Sequence, residues 1–148
     1  MLTPEEKEDV QNIYGITDRG VIRNRGYATQ IRDFRNLRFS NITPTDIDGL
    51  IEYQNICYVF IETKHAGAEL PRGQELALER ITDDLEKVKP TITIVASHNT
   101  QGDIDVGNAE VTKVRWNRKW RTMTEITTTK ALIDRFFSWV ETMSGDNA

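Results

Sequence analysis

The chain has 148 residues, of which 38% are hydrophobic and 28% are charged, and its formal net charge is −4. A chain of this length can bury one core and has no room for two, so we expect a single domain over residues 1–148. One cysteine and two histidines cannot build a disulfide framework or a conventional zinc site. The acidic balance argues against a general nucleic-acid coat protein, whose affinity comes from neutralising phosphates.

The N-terminal residues predict a helix and no targeting segment. They are acidic and no apolar stretch follows them, so they match neither a signal peptide nor a membrane span. We therefore expect a cytoplasmic protein without membrane contact. Thr3, Pro4 and Glu6 have the spacing of a helix cap, a first-turn proline and a capping glutamate. Residues 15–26 predict a loop, and residues 27–34 predict a short second helix.

The rest of the chain alternates between strand and helix patterns. Strands are predicted from Leu37 to Phe39, over residues 47–51 and over the apolar run 56–61, with a turn at residues 53–55. The second half predicts a helix, a strand, a strand or hairpin, and a C-terminal helix: residues 76–88, 91–97, 103–116 with a turn at Gly107-Asn108, and 127–143. This order is typical of an α/β sandwich with a mixed sheet.

Two carboxylates lie inside these apolar strands. Asp48 is flanked by Ile47 and Leu50, and Glu62 directly follows the apolar run 56–61. Burying an unpaired carboxylate is costly, so each of them needs a partner that offsets its desolvation. A divalent cation is one such partner, and oxygen ligands favour Mg²⁺ or Mn²⁺.

The hairpin register brings the charged residues together. Strand alternation places Asp46 and Asp48 on one face, and Glu62 and Lys64 likewise share a face. A hairpin centred on Asn55 sets Asp48 opposite Glu62 and Asp46 opposite Lys64, with facing Cβ atoms roughly 5 Å apart. Two carboxylates at that separation could share one cation, and Lys64 could hold an attacking water or offset charge on phosphoryl oxygens. The arrangement favours hydrolysis of a phosphodiester bond.

Asp48, the hairpin and Glu62-Thr63-Lys64 together resemble the bipartite motif of the PD-(D/E)xK nucleases. The resemblance implies a restriction-endonuclease-like sandwich in the order helix, three strands, helix, strand. It also implies metal ligands at Asp48 and Glu62, a catalytic Lys64, and Mg²⁺-dependent or Mn²⁺-dependent cleavage of DNA. The family's proline directly precedes its aspartate, whereas Pro44 stands two residues before Asp46. Asp46 therefore stays a second candidate ligand.

The helix after the motif supplies one further match. Gln74 precedes Ala77, Leu78 and Ile81 by three, four and seven residues, so it lies on the face expected to pack on the sheet. Several branches of the family carry a polar residue there, often glutamine, and the resemblance implies that Gln74 points into the catalytic site. The alternative is a first-turn polar residue at the edge of the core.

Other polar residues are candidates without an assigned role. A further metal ligand from the N-terminal region could be Glu6, Asp9 or Asp33, and the sequence does not choose among them. His65 and His98 are expected near the rim of the sheet. Lone histidines are common in proteins, and we interpret both as incidental.

Basic and aromatic residues leave several interpretations open. Basic runs at residues 19–38 and 113–121 could contact phosphates, although such runs are more often solvated faces. The second run contains Trp116 and Trp120, which could stack on bases or lie in the core beside a β-turn. The aromatic C-terminal helix could form a homodimer interface or close the core.

The small size favours an endonuclease that is structure-specific or partner-directed. The alternatives are a catalytically inactive nuclease-like module that binds nucleic acid or protein, and a buried salt-bridge network in an unrelated α/β domain.

Overall fold

The structure is a computed structural model that describes residues 33–146. The chain divides into two compact units, Met1–Pro44 and Thr45–Ala148. The helix predicted from Thr3 and the loop at residues 15–26 lie outside the described residues, as does most of the helix predicted over residues 27–34. The single domain therefore stays a prediction.

The described part of the first unit is a tight turn. A 3-10 helix, Arg35–Leu37, occupies the start of the predicted extended run, and one isolated β-bridge joins Phe39 to Ile42. The backbone N–H of Arg35 and its guanidinium group both donate to the Asp33 carboxylate. An aspartate that binds the amide two residues later favours a turn over a strand, so the strand predicted from Leu37 to Phe39 is wrong.

The second unit contains a five-stranded mixed sheet and two helices. The elements are β1 (Gly49–Tyr53), β2 (Cys57–His65), α1 (Arg72–Glu86), β3 (Thr91–His98), β4 (Glu110–Trp116), β5 (Lys119–Thr122) and α2 (Thr129–Asp146). The strands lie side by side in chain order; β2 and β3 are parallel, and the other neighbouring pairs are antiparallel. Helix α1 makes the crossover between the parallel strands. The predicted α/β class with a mixed sheet is confirmed.

The first hairpin has the predicted register. Gly49 pairs with Ile61 and Tyr53 with Cys57, so that Asn55 stands at the centre of the turn. Gln54 and Asn55 have φ values of 48° and 61°, the left-handed backbone that a tight hairpin turn requires. The first strand starts two residues later than predicted, at Gly49, and β2 continues through Glu62 to His65.

The two faces of the sheet have different chemistry. One face forms the hydrophobic core with α2, whose Phe136 and Val140 are buried against the strands. The strand residues of this core are Cys57, Val59, Ile92, Ile94, Ala96, Val111 and Val114. On the other face α1 contributes Leu78 and Thr82, and the sheet contributes polar side chains. The charged residues of β2 lie on this polar face.

The second hairpin lies farther along the chain than predicted. Gly107 and Asn108 belong to a 3-10 helix, because the Asp105 carboxylate accepts hydrogen bonds from the Gly107 amide and the Asn108 side chain. The turn that joins β4 to β5 is Asn117-Arg118, where both residues have positive φ. The turn predicted at Gly107-Asn108 is therefore wrong.

Helix α2 closes the apolar face. It begins at Thr129, within two residues of the predicted start, and the Thr128 hydroxyl accepts a hydrogen bond from the Ala131 amide in its first turn. Phe136 and Val140 point into the core, whereas Trp139 is partly exposed. No helix in the described part of the chain is long and apolar enough to cross a membrane.

A buried hydroxyl pair joins α1 to β3 and provides a test of this packing. Thr82 Oγ1 donates to the Leu78 carbonyl at 2.6 Å and lies 2.5 Å from Thr93 Oγ1. Thr82→Val would leave the Thr93 hydroxyl buried without a partner, at a cost of about 1–3 kcal/mol in the free energy of unfolding. Because the residues share one hydrogen bond, the double variant with Thr93→Val is expected to lose less than the two single losses combined.

Urea unfolding of the single and double variants measures this coupling. Thr112→Val is the matched control, because Thr112 is an exposed strand threonine whose hydroxyl donates to the main-chain carbonyl of Val95. The control should change stability by less than about 0.5 kcal/mol. Additive losses at Thr82 and Thr93 would contradict the proposed coupling.

Candidate metal centre

Glu62 is the buried acid of the polar face. It lies on β2 beside Val95 of the parallel strand β3 and is only 2% exposed. Its Oε1 accepts a hydrogen bond from Gln74 Nε2 at 2.8 Å and lies 3.3 Å from Lys64 Nζ. Its other oxygen, Oε2, is buried and has no hydrogen-bond partner among the described residues. One half of this carboxylate is anchored and the other half is unsatisfied.

The surroundings of Glu62 disfavour its charge. Burial raises the pKa of the Glu62 carboxyl group, and the negative charge of Asp48 raises this pKa further. Hydrogen bonds and charge from Lys64, and the hydrogen bond from Gln74, act in the opposite direction without cancelling the shift. An ionised Glu62 would therefore be stabilised by a further positive charge at Oε2.

Lys64 and Gln74 form a closed set of contacts with Glu62. Lys64 Nζ donates to Gln74 Oε1 at 3.2 Å, so each of the three side chains contacts the other two. Gln74 lies one helical turn before Leu78 and two before Thr82, the buried residues of α1. The structure places Gln74 beside the acid and the lysine, as expected. Two other residues predicted on its face, Ala77 and Ile81, are exposed instead.

Asp48 lies one residue before β1 and is exposed. Its Oδ2 accepts hydrogen bonds from the Thr63 backbone amide at 2.8 Å and from Thr63 Oγ1 at 3.1 Å. The paired ladder stops at Gly49, so the predicted facing of Asp48 and Glu62 falls just beyond it. Asp48 is nevertheless close enough for its charge to act on Glu62. Thr63 was not among the predicted site residues, although it stands between Glu62 and Lys64.

Asp46, the second candidate ligand, lies in the irregular segment that precedes β1, and it is exposed. Its expected partner, Lys64, is bonded to Glu62 and Gln74. Of the acids considered as further ligands, Asp33 pairs with Arg35 inside the first unit, and the N-terminal candidates lie outside the described residues. Within residues 33–146, no three His, Cys, Asp or Glu side chains are grouped closely enough to hold a metal ion.

The residues that are present fit a hard divalent cation. Mg²⁺ is commonly held by one or two carboxylates and keeps several waters in its shell, so a third protein acid is not required. The unsatisfied Oε2 of Glu62 and the carboxylate of Asp48 are oxygen donors of the required kind. Sulfur and imidazole groups, which favour softer metals, are not part of this set.

The two histidines lie side by side at the carboxyl ends of the parallel strands. His65 pairs with His98 in the β2–β3 register, and their ring centroids are 5.4 Å apart with the rings nearly perpendicular. His98 Nδ1 accepts a hydrogen bond from the Thr100 amide. The rim position expected from the sequence agrees with this placement, and the pairing of the two rings was not expected.

Two of the five cations in the second basic run are paired with acids of α1. Lys113 Nζ lies 2.7 Å from Glu75 Oε2, and Arg115 makes a two-pronged contact with Asp83 at 3.1 and 2.6 Å. Lys113 accordingly lowers the pKa of Glu75. Lys113 and Arg115 therefore tie β4 to α1 and are already engaged on the face that carries Glu62.

The remaining cations of this run point elsewhere. Lys119 and Arg121 are exposed, and they pair with Trp116 and Val114, which belong to the opposite, apolar face. Trp120 is on the α1 side, where its Nε1 donates to Glu79 at 2.7 Å. The β-turn between the tryptophans is confirmed, with Trp116 packed against the core and Trp120 against α1.

The cost of the buried Glu62 charge can be measured in metal-free protein. The pKa of Glu62 is raised in the folded state, so this group contributes most to stability at a pH below its ordinary pKa of 4.5. That contribution is lost as the pH rises through the raised pKa. Glu62→Gln keeps the shape of the side chain and removes the charge. We expect it to stabilise the chain at neutral pH by on the order of 1 kcal/mol, with a smaller gain in acid.

Unfolding by urea in the presence of a chelator, at acidic and neutral pH, tests this expectation. The exposed Glu69 provides a control, since Glu69→Gln should leave stability within about 0.5 kcal/mol of the wild type. Loss of stability in Glu62→Gln at neutral pH would show that the charge is already compensated.

Arg115 of β4 and Arg121 of β5 are predicted to differ in their contribution to stability. The side chains of Arg115 and Asp83 are 13% and 15% exposed. Arg115→Met would therefore leave the largely buried Asp83 carboxylate without its positively charged partner. We expect a loss of about 3 kcal/mol in the free energy of unfolding. Arg121→Met, on the exposed surface, should cost less than about 0.5 kcal/mol. Equal effects of the two substitutions in thermal unfolding would contradict the assigned role of the Arg115–Asp83 pair.

Comparison with known proteins adds no assignment. No protein-family model matches the chain, and neither a curated protein nor a solved structure matches it. Function therefore has to be inferred from the contacts among Asp48, Glu62, Lys64 and Gln74.

Proposed function

We propose that the protein is a divalent-metal-dependent nuclease of the PD-(D/E)xK type that hydrolyses phosphodiester bonds in DNA. The observation that carries the proposal is Glu62 Oε2, a buried carboxylate oxygen that has no hydrogen-bond partner in residues 33–146 and lies beside a lysine and near a second carboxylate. A structural ion pair would be expected to satisfy both oxygens of a buried carboxylate, since each unmet one costs about 1–3 kcal/mol. An oxygen left open in this way suits a site that receives a cation.

The side chains have separate roles in this proposal. Asp48 and Glu62 would hold the cation, which when bound would act as a Lewis acid toward the phosphoryl group and lower the pKa of water. Lys64 is restrained by Glu62 and Gln74, so its ammonium group is held in place to donate to a phosphoryl oxygen or an attacking water. Gln74 orients both Glu62 and Lys64 by contacting each of them.

The architecture supports the same proposal at a coarser level. A hairpin carries Asp48 next to its first strand and Glu62-Thr63-Lys64 in its second, and a helix then leads to a parallel strand. These features match the order that the resemblance implies from the hairpin onward. The resemblance also implies three strands before the helix, and residues 33–71 contain two, β1 and β2. Because residues 33–71 contain two strands where the resemblance implies three, the restriction-endonuclease-like sandwich is proposed along with the function.

Cleavage assays with plasmid, linear and branched DNA, in Mg²⁺ and in Mn²⁺, test the proposal. Glu62→Gln and Lys64→Met preserve side-chain size and should each lower the cleavage rate by at least about a hundredfold. Lys119→Met is the matched lysine control, because Lys119 is exposed and lies on the opposite face of the sheet. It should cleave at the wild-type rate.

The outcome separates the nuclease from its main alternative. Cleavage by the wild type that is lost in both site variants, with their thermal unfolding intact, supports the assignment. DNA binding without cleavage under either cation would refute the nuclease and favour an inactive nucleic-acid-binding module. Preference among the three DNA forms would identify a structure-specific enzyme.

A further inference from the structure

We propose that Thr63 is a positioning residue for the candidate metal centre, because its amide and hydroxyl hold one oxygen of Asp48 and leave the other for a divalent cation. The inference rests on the proposed function and extends it to a residue whose side chain is not itself a ligand. It concerns the middle residue of Glu62-Thr63-Lys64.

Asp48 depends on Thr63 for its placement. It precedes the first paired residue of β1, so the strand ladder does not fix it, and its side chain is exposed. Both contacts from Thr63, at 2.8 and 3.1 Å, reach the same atom, Oδ2. Among residues 33–146 no other hydrogen bond reaches this carboxylate. Without Thr63 the side chain would sample several rotamers, and a bound ion would have to offset the entropy of ordering it.

The two carboxylates are anchored in the same manner. In the part of the chain that the structure describes, Glu62 has Oε1 bonded to Gln74 and Lys64 and Oε2 without a partner. Asp48 has Oδ2 bonded to Thr63 and Oδ1 without a hydrogen bond from the described residues. Each acid thus has one oxygen held by a hydrogen bond and one that is open. This arrangement is expected when residues that do not bind the metal orient its ligands by hydrogen bonds.

The position of Thr63 on β2 makes this division possible. Successive side chains of a strand point to opposite faces, so Thr63 projects away from the face that Glu62 and Lys64 share with α1. It can therefore hold Asp48 without competing with Gln74 for space. Its backbone amide contributes whatever the side chain is, so a substitution removes only the hydroxyl contact.

Mn²⁺ binding to the metal-free chain of residues 1–148, followed by electron paramagnetic resonance, tests the inference without relying on activity. Thr63→Val keeps the β-branched shape and removes the hydroxyl, and we expect Mn²⁺ affinity to fall about tenfold. Thr63→Ser restores the hydroxyl and should restore affinity. Thr112→Val makes the same change on β4, where the hydroxyl bonds only to the main chain, and should bind Mn²⁺ as the wild type does. Thr63→Ala serves as a second variant if valine disturbs the strand.

The results distinguish this inference from the proposed function. Wild-type affinity in Thr63→Val and Thr63→Ala, alongside loss of binding in Glu62→Gln, would overturn the role of Thr63 and leave the metal centre intact. Weaker binding that serine rescues supports the role, even if the wild type proves unable to cut DNA, which would refute only the nuclease. Absence of Mn²⁺ binding in the wild type would overturn both the metal centre and the inference.

Discussion

The desolvated carboxylate of Glu62 is the constraint around which the polar face of the sheet is arranged. Glu62 lies on a buried strand, next to Ile61 in the chain and Val95 on β3, so its carboxylate loses most of its hydration, and the protein replaces only part of it. Gln74 reaches the acid from α1 and Lys64 from the same strand, and both contact one oxygen. Neither donor hydrogen-bonds to the second oxygen. The incompletely compensated charge of Glu62 therefore lowers the stability of the folded chain, and apolar packing on the other face of the sheet has to offset this loss.

The two helices contribute to the fold in different ways. Helix α2 packs aliphatic and aromatic residues on the sheet, so its contribution is the burial of apolar area. The contacts of α1 with the sheet include directional polar ones, among them the Thr82–Thr93 hydroxyl pair and the Arg115–Asp83 ion pair. Directional contacts fix the rotation of a helix more strictly than apolar packing does. That restriction keeps Gln74 within reach of Glu62.

The sequence could predict the hairpin but not the detailed bonding of its acids. The asparagine-containing turn determines the register, and strand alternation then decides which side chains share a face, because a shift of one residue would exchange the faces. The same alternation correctly places Glu62 and Lys64 together. The contact between Asp48 and Thr63 depends on a backbone amide and on where the ladder ends, and neither has a signature in residue types. The Asp105 cap of the second 3-10 helix, and the contact of Asp33 with the Arg35 amide at the first one, were missed for a similar reason.

Long-range pairing was also beyond prediction. The basic run at residues 113–121 suggested a phosphate-binding surface, and its partners on α1 are about 30 to 40 positions away in the sequence, as the separations of 38 for Lys113–Glu75 and 32 for Arg115–Asp83 show. Both glutamate and aspartate lie on the helix face toward β4, where the lysine and the arginine point. A pattern of like charges in sequence does not indicate whether opposite charges face them in space.

Because of these pairings, the net charge of the candidate metal centre is negative. With Lys113 and Arg115 neutralised by α1, the charged groups of the site are Asp48, Glu62 and Lys64. In their ionised forms these carry two negative charges and one positive charge, which would repel a phosphodiester. A divalent cation reverses the sign of that balance, and bound cations often dominate the local field. In the proposed nuclease the cation would therefore control the approach of the substrate as well as its hydrolysis, and metal-free protein would bind DNA weakly at this site.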